Sequence, residues 1–272
     1  MPARSVLRGG NGGPASSTSQ QGGERPAGNR QPTGHWYRAR VDLAVEWLGR
    51  IDYRAAWERQ HALVVARAAG EVPDTLLLLE HPPVLTLGRH SDPAHVRATP
   101  EELAALGIEL IRVERGGEVT YHGPGQLVAY PIVRLADRGI LLRPFVRALE
   151  AAMADTCATY GVRAGRREGS PGCWVDPEGP APRKIGALGI RLERGVTYHG
   201  IALNVTTRLA DFELIDPCGM PEAEVTSIAR EARWPIEAPT TASVRDAAER
   251  FAPVLACELE AASAPLLVGA EA

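Results

Sequence analysis

Residues 115–126 contain four glycines and one proline between two apolar runs, 108–113 and 127–133. Glycine adopts positive φ angles and lets the backbone approach another group closely, at an entropic cost. The pattern therefore predicts two strands joined by a glycine-rich loop that receives a ligand. A tight connection between the strands is the alternative. The stretch lacks the Lys-Ser/Thr pair of a phosphate loop and the spacing of a dinucleotide fingerprint.

Apolar runs and helical patterns are mixed along the rest of the chain, without a strict βαβ repeat. Strands are predicted at 36–48, 74–80, 84–87, 184–192 and 196–205, the last two as a hairpin that turns at 193–195. Helices are predicted at 53–69, 100–106, 143–160, 221–230 and 241–262, and 166–182 is a loop-rich stretch with a short apolar segment at 173–175. We expect an α+β fold, a single domain with a mixed, largely antiparallel sheet flanked by helices.

The first 36 residues are rich in Gly, Ser, Gln and Pro and have almost no apolar content. Such a segment cannot offset the entropy of ordering, so residues 1–36 are predicted to be a disordered tail. We expect the folded domain to span residues 37–265.

Bulk composition excludes several classes of protein. The net charge of −3 gives no electrostatic reason to expect nucleic acid or an anionic membrane as a partner. No apolar run approaches the roughly 20 residues that span a bilayer, and the amino terminus lacks the apolar segment of a secretory signal. The four cysteines form no CxxC pair, so we expect neither a metal site nor a disulfide framework. We therefore expect a cytoplasmic protein with reduced thiols.

Two residues stand out chemically. Of the 30 basic residues, 29 are Arg and only one, Lys184, is Lys. Lysine can release its proton when desolvated or placed near another cation, whereas arginine cannot, although a chance survivor of Arg-rich codon usage is the alternative. Cys218 lies on a Pro-Cys-Gly turn, either as a reactive thiol or as a buried turn cysteine. Because a reactive thiol needs a nearby cation or base, Lys184 and Cys218 are a candidate base–nucleophile dyad.

The pentapeptide Val-Thr-Tyr-His-Gly occurs twice, at 119–123 and at 196–200. Five identical residues are too few to indicate a duplicated domain. They suggest two neighbouring strands that end in the same polar wall, with His122 and His199 facing one cleft. Either histidine could instead be a structural residue with its hydrogen bonds satisfied.

Four ordered segments, 115–126, 182–189, 198–204 and 217–219, resemble those of the lipoyl(octanoyl) transferase family, also called lipoate-protein ligase B. The resemblance extends over roughly residues 41–255, and the family's usual Asn before Pro-Cys-Gly is Asp216 here. It implies the fold of biotin and lipoate ligases for the catalytic domain at 37–265. It also implies octanoyl transfer from octanoyl-acyl carrier protein to a lysine of a lipoyl domain, with no ATP and no cofactor.

By matching motifs, the resemblance implies that Cys218 is the acyl-thioester nucleophile and that Lys184 lowers its pKa. The expected acceptors are the lipoyl domains of 2-oxoacid dehydrogenase complexes and the glycine cleavage H protein. The residues expected to line the octanoyl pocket are Arg115, Gly116, Gly117, Glu118, Val119, Thr120, Tyr121, His122, Ala187, Leu188, Gly189, Gly200, Ile201 and Ala202. Two alternatives remain: an ATP-dependent lipoate or biotin protein ligase, and a non-catalytic binder of lipoyl domains or acyl carriers.

Overall fold

The strands of the protein form two sheets in a computed structural model that describes residues 35–38, 43–216, 224–235 and 241–263. The strands are β1 (His35–Arg38), β2 (Leu43–Arg50), β3 (Asp74–Glu80), β4 (Val84–Leu87), β5 (Glu109–Arg112), β6 (Val119–His122), β7 (Gln126–Ile132), β8 (Ala164–Arg167), β9 (Ser170–Val175), β10 (Arg183–Glu193), β11 (Val196–Asn204) and β12 (Glu224–Val225). The helices are α1 (Tyr53–Ala69), α2 (Pro100–Ala105), α3 (Leu142–Ala158), α4 (Ile228–Glu231) and α5 (Thr241–Ser263).

The larger sheet has the order β1-β2-β3-β7-β11-β10-β9-β8, with β12 paired to β10. Within it, β2–β3 and β10–β12 are parallel and the other pairs are antiparallel. The smaller sheet has the order β5-β4-β6. The prediction of an α+β fold with a mixed, largely antiparallel sheet is therefore confirmed.

Local signals in the sequence account for several element ends. Asp52 caps α1 by accepting hydrogen bonds from the backbone N–H groups of Arg54 and Ala55, and Gly70 ends the helix in the left-handed conformation. The predicted hairpin is also confirmed. Its turn residues, Arg194 and Gly195, have φ angles of 51° and 78°, as the twist of a two-residue hairpin requires.

Four local predictions were wrong in part. The strand predicted at 36–48 is two antiparallel strands, β1 and β2. The loop-rich stretch at 166–182 contains the hairpin β8–β9. Within the predicted helix at 221–230, the described residues begin with β12, and α4 starts only at Ile228, where Ser227 caps it. The second half of the glycine-rich stretch contains strand β6, because residues 119–122 pair with β4.

Helices α3 and α5 pack together in the main hydrophobic core, which includes Leu149, Met153, Phe251 and Leu255. Helix α1 contacts β7 and β11 through a separate apolar cluster. This packing leaves β10 and β11 positioned beside the smaller sheet, with a cavity between them.

Candidate active site

A cavity of about 290 Å³ is bounded by β10 and β11 on one side and by β6 and the loop before it on the other. Its volume is at the lower end of the range for small-molecule sites, roughly 300–1,000 Å³. Lys184 lies in its wall. The predicted pocket residues that also line it are Arg115, Gly117, Glu118, Val119, Thr120, His122, Ala187, Leu188, Gly189, Gly200, Ile201 and Ala202.

Two predicted pocket residues, Gly116 and Tyr121, are not among the residues that line this cavity. The Gly116 N–H donates to the carbonyl oxygen of Ile190 at 3.0 Å, so Gly116 holds the loop against β10. The Tyr121 hydroxyl donates to Asp211 Oδ2 at 2.6 Å, and its ring packs edge-on against Phe212. Because side chains alternate along β6, Tyr121 points to the opposite face from Thr120 and His122.

Close packing explains two of the four loop glycines. A Cβ at Gly116 would lie 3.2 Å from the Ile190 carbonyl oxygen, and one at Gly123 would lie 2.1 Å from the Tyr121 hydroxyl. At these two positions the glycine is required by close packing within the protein. The loop nevertheless contributes Arg115 and Gly117 to the cavity wall.

Arg115 is buried, and its guanidinium is held by the protein itself. Its Nη2 donates to the Thr86 carbonyl oxygen at 2.7 Å and to Thr86 Oγ1 at 2.9 Å, while Nη1 donates to the Gly116 carbonyl oxygen at 3.0 Å. These bonds fix a positive charge in the cavity wall and shape the loop around it.

The hydrogen bonds of the Gln126 side chain define the tautomer of His122. Only one orientation of the Gln126 amide satisfies all of its hydrogen bonds. Gln126 Nε2 donates to the Tyr121 carbonyl oxygen at 3.2 Å and to Asn204 Oδ1 at 3.0 Å. Gln126 Oε1 therefore accepts from His122 Nδ1–H at 2.8 Å, which leaves Nε2 as the basic nitrogen. Burial lowers the pKa of His122 well below its usual range.

The same network reaches Lys184 through the backbone. Asn204 Nδ2 donates to the Thr226 carbonyl oxygen at 3.0 Å, and the Thr226 N–H donates to the Lys184 carbonyl oxygen at 2.9 Å. A continuous set of hydrogen bonds thus connects the His122 ring to the strand that carries the lysine.

The repeated pentapeptide does not form neighbouring strands, because β6 belongs to the smaller sheet and β11 to the larger one. Both of its histidines still line the cavity, as predicted. His199 is the more strained, with a left-handed φ of 54°. Neither of its ring nitrogens has a hydrogen-bond partner among the described residues, and burial lowers its pKa to about 3.

Sequence reasoning missed an aromatic cluster beside His122, in which Tyr53 and Tyr130 line the cavity and His81 contacts both of them. Tyr53 stacks on His122 with ring centroids 5.9 Å apart, and it lies 5.0 Å from His81. His81 Nδ1–H donates to the Ile51 carbonyl oxygen at 2.8 Å, so Nε2 accepts from the Tyr130 hydroxyl at 2.9 Å. Burial lowers the pKa of His81 to about 4 and raises that of Tyr53 to about 12. These residues belong to separate elements without a shared motif, so no local signal predicted their assembly.

Cys218 lies outside the described residues. The chain before it is anchored at Asp216, whose N–H donates to the His95 carbonyl oxygen at 2.7 Å and whose carboxylate pairs with Arg97. Glu224, the first residue of β12, pairs with Arg183, which precedes Lys184 on β10. Strand β12 therefore lies beside the candidate base on β10.

The other three cysteines lie away from the cavity wall. Cys157 and Cys173 are buried in the main core, and Cys257 is exposed. No group of three or more His, Cys, Asp or Glu side chains in the described ranges is arranged to hold a metal ion. Within the same ranges, every helix is too short or too polar to cross a membrane.

Comparisons with known proteins give a consistent result. A family model described as the lipoyl protein ligase A/B catalytic domain matches residues 52–252. An octanoyltransferase from Chloroflexus aggregans is 50% identical over 205 residues, which cover 75% of this chain and 90% of the relative. An octanoyltransferase from Acidobacterium capsulatum is 51% identical over 192 residues, covering 68% of this chain and 78% of the relative.

One solved structure is a bipartite lipoate protein ligase from Thermoplasma acidophilum, described together with its E2 lipoyl domain. It matches with a TM-score of 0.53 at 15% identity, covering 82% of this chain and 90% of that chain. At this level of identity the likeness shows the fold alone.

Proposed function

The chain belongs to the lipoyl protein ligase A/B catalytic-domain family, and on that premise we propose that it is an octanoyltransferase of protein lipoylation. The observation that carries the proposal is the cavity itself. It combines Lys184 with apolar wall residues such as Leu188 and Ile201. A cavity with apolar wall residues beside an amine suits a medium-length acyl chain whose carbonyl must react.

The first half-reaction forms an acyl-enzyme. Lys184, in its neutral form, takes the proton of the Cys218 thiol, and the thiolate attacks the thioester carbonyl of octanoyl-acyl carrier protein. A new bond joins the carbonyl carbon to the Cys218 sulfur, and the bond to the carrier's sulfur breaks. The departing carrier thiolate takes the proton back from Lys184.

The second half-reaction transfers the octanoyl group to a lysine of a lipoyl domain. The neutral amine of that lysine attacks the acyl-enzyme carbonyl, an amide bond forms, and the Cys218 sulfur leaves as a thiolate. The proton released by the amine returns to this thiolate through Lys184. His122 lines the same cavity, and its Nε2 can accept a hydrogen bond from the attacking amine.

The reaction needs no ATP. Exchange of one thioester for another changes the free energy little, and conversion of a thioester to an amide is downhill. The donor is octanoyl-acyl carrier protein. The acceptors are the lipoyl domains of 2-oxoacid dehydrogenase complexes and the glycine cleavage H protein. We propose that the enzyme meets these partners in the cytoplasm. The alternative within the same fold, an ATP-dependent ligase, activates a free acid and does not need Cys218.

The test is intact-mass analysis after incubation with octanoyl-acyl carrier protein in the absence of ATP. We expect wild-type protein to gain the mass of one octanoyl group and Cys218→Ala to gain none. Cys257→Ala is the matched control, because it removes an exposed thiol and should leave the adduct unchanged. An adduct that persists in Cys218→Ala, or transfer that requires ATP, would contradict the proposal.

A further inference from the structure

Trp174 lies directly against the candidate base. Lys184 of β10 and Trp174 of β9 are cross-strand partners. The Lys184 Nζ lies 5.2 Å from the centroid of the Trp174 ring, and Trp174 is only 1% exposed. An ammonium within about 6 Å of an indole face is attracted by the ring quadrupole, and the attraction grows when water is excluded.

The position of this ring is built into the sheet. Trp174 Nε1–H donates to the carbonyl oxygen of Ser170 at 2.9 Å, and Ser170 lines the cavity. A Cβ at Gly172 would lie 2.5 Å from the Gly186 carbonyl oxygen and 3.0 Å from Lys184 Cε, so this glycine lets β9 approach β10 closely and leaves room for the lysine stem. Backbone pairing, an anchored indole and a glycine gap therefore act together to fix the lysine side chain.

We infer that Trp174 is a positioning residue, which holds the Lys184 ammonium in place through the face of its indole ring. This inference rests on the proposed function, in which Lys184 becomes an ammonium when it takes the Cys218 proton. The ring stabilises that charged form without donating or accepting a proton itself. Because the contact favours the cation, it favours the thiolate–ammonium state over the neutral pair.

Other titratable groups surround this contact. Arg115, Glu118, His122 and His199 line the same cavity as Lys184. From β8, the Arg167 guanidinium carbon lies 5.6 Å from the centroid of the Trp174 ring. From α3, the buried Glu150 accepts a hydrogen bond from the Gly172 N–H at 3.0 Å. None of these groups changes in the experiment below, so their contribution to the charge of Lys184 stays constant.

The sequence offers a direct measurement, because Lys184 is the only lysine in the chain. Protein grown on lysine labelled with ¹³C at Cε should give one Lys184 signal, whose titration midpoint can be followed by NMR. Stepwise fluorination of Trp174, introduced site-specifically, weakens the ring quadrupole while keeping the shape of the side chain. We expect the midpoint to move to lower pH with each fluorine, and by about 0.4–1.5 pH units in Trp174→Leu.

The rate of acyl-enzyme formation should fall in the same order, by roughly 2- to 30-fold in Trp174→Leu. Fluorination of Trp234, whose ring packs on Tyr160, is the matched control and should change neither quantity. A midpoint that does not depend on fluorination would overturn the inference, even if Trp174→Leu is slow or unstable. Failure of the proposed function would show separately, as wild-type protein that gains no octanoyl mass.

Discussion

A single methyl group at Gly189 should push the cavity wall apart. A Cβ at this position would lie 2.7 Å from the Gly116 carbonyl oxygen and 3.4 Å from Arg115 Cδ. The first contact is too short to persist, and the atom it meets is backbone, so no rotamer change can relieve it. The Gly116 N–H also donates to Ile190, the residue after Gly189. The substitution must therefore lift the loop and strain or break this bond.

The magnitude follows from overpacking, which costs about 1–3 kcal/mol in a tightly packed region. For a protein of this size, each kcal/mol lowers Tm by about 2–4 °C, so Gly189→Ala should lower Tm by about 2–12 °C. The effect on activity should be larger. Arg115 and Gly117 would move with the loop, and a displacement of about 1 Å at a reacting site can reduce the rate about 100-fold.

Gly165→Ala is the matched control, because it also places a methyl group on a strand. Its Cβ would meet only Pro177 Cγ, at an ordinary 3.8 Å. Thermal melts and steady-state octanoyl transfer should show Gly165→Ala close to wild type and Gly189→Ala impaired in both. Wild-type Tm and kcat/KM in Gly189→Ala would refute the view that loop and strand are held in direct backbone contact.

Three further predictions concern the proposed dyad and the buried histidines. Lys184→Arg keeps the positive charge but loses the proton acceptor, so transfer should fall by about 10²–10⁴-fold while circular dichroism stays native; near-normal turnover would remove Lys184 from the mechanism. Cys218→Ser should transfer octanoate at or near background in the same assay, because a serine hydroxyl is far less readily ionised, and wild-type rates would contradict the covalent route. Burial lowers the pKa of His81 to about 4, whereas the pKa of a histidine in the unfolded chain is about 6.5. Between these two values the unfolded chain binds more protons than the folded protein, so the free energy of unfolding must fall as the pH falls. Between pH 7 and pH 5, His81 alone should reduce the free energy of unfolding by about 2 kcal/mol, measured from urea midpoints, and His81→Gln should show a shallower pH dependence.

The sequence by itself determined the features that depend on neighbours along the chain. The ends of α1 follow from Asp52 and Gly70, and the turn between β10 and β11 follows from Arg194-Gly195, because capping and turn geometry are local. The motif that contains Arg115 and His122 is likewise evident in the linear sequence, since its residue types already indicate a binding loop.

Tertiary structure alone decided which residues meet across the cavity. Contacts between distant segments produce the smaller sheet, the separation of the two pentapeptides into different sheets, and the aromatic cluster of Tyr53, His81 and Tyr130. The place of Trp174 against Lys184 depends on the register of β9 against β10. Strand register is set by burial on both faces of a sheet and by the elements packed on it, and a linear pattern of apolar residues does not contain that information.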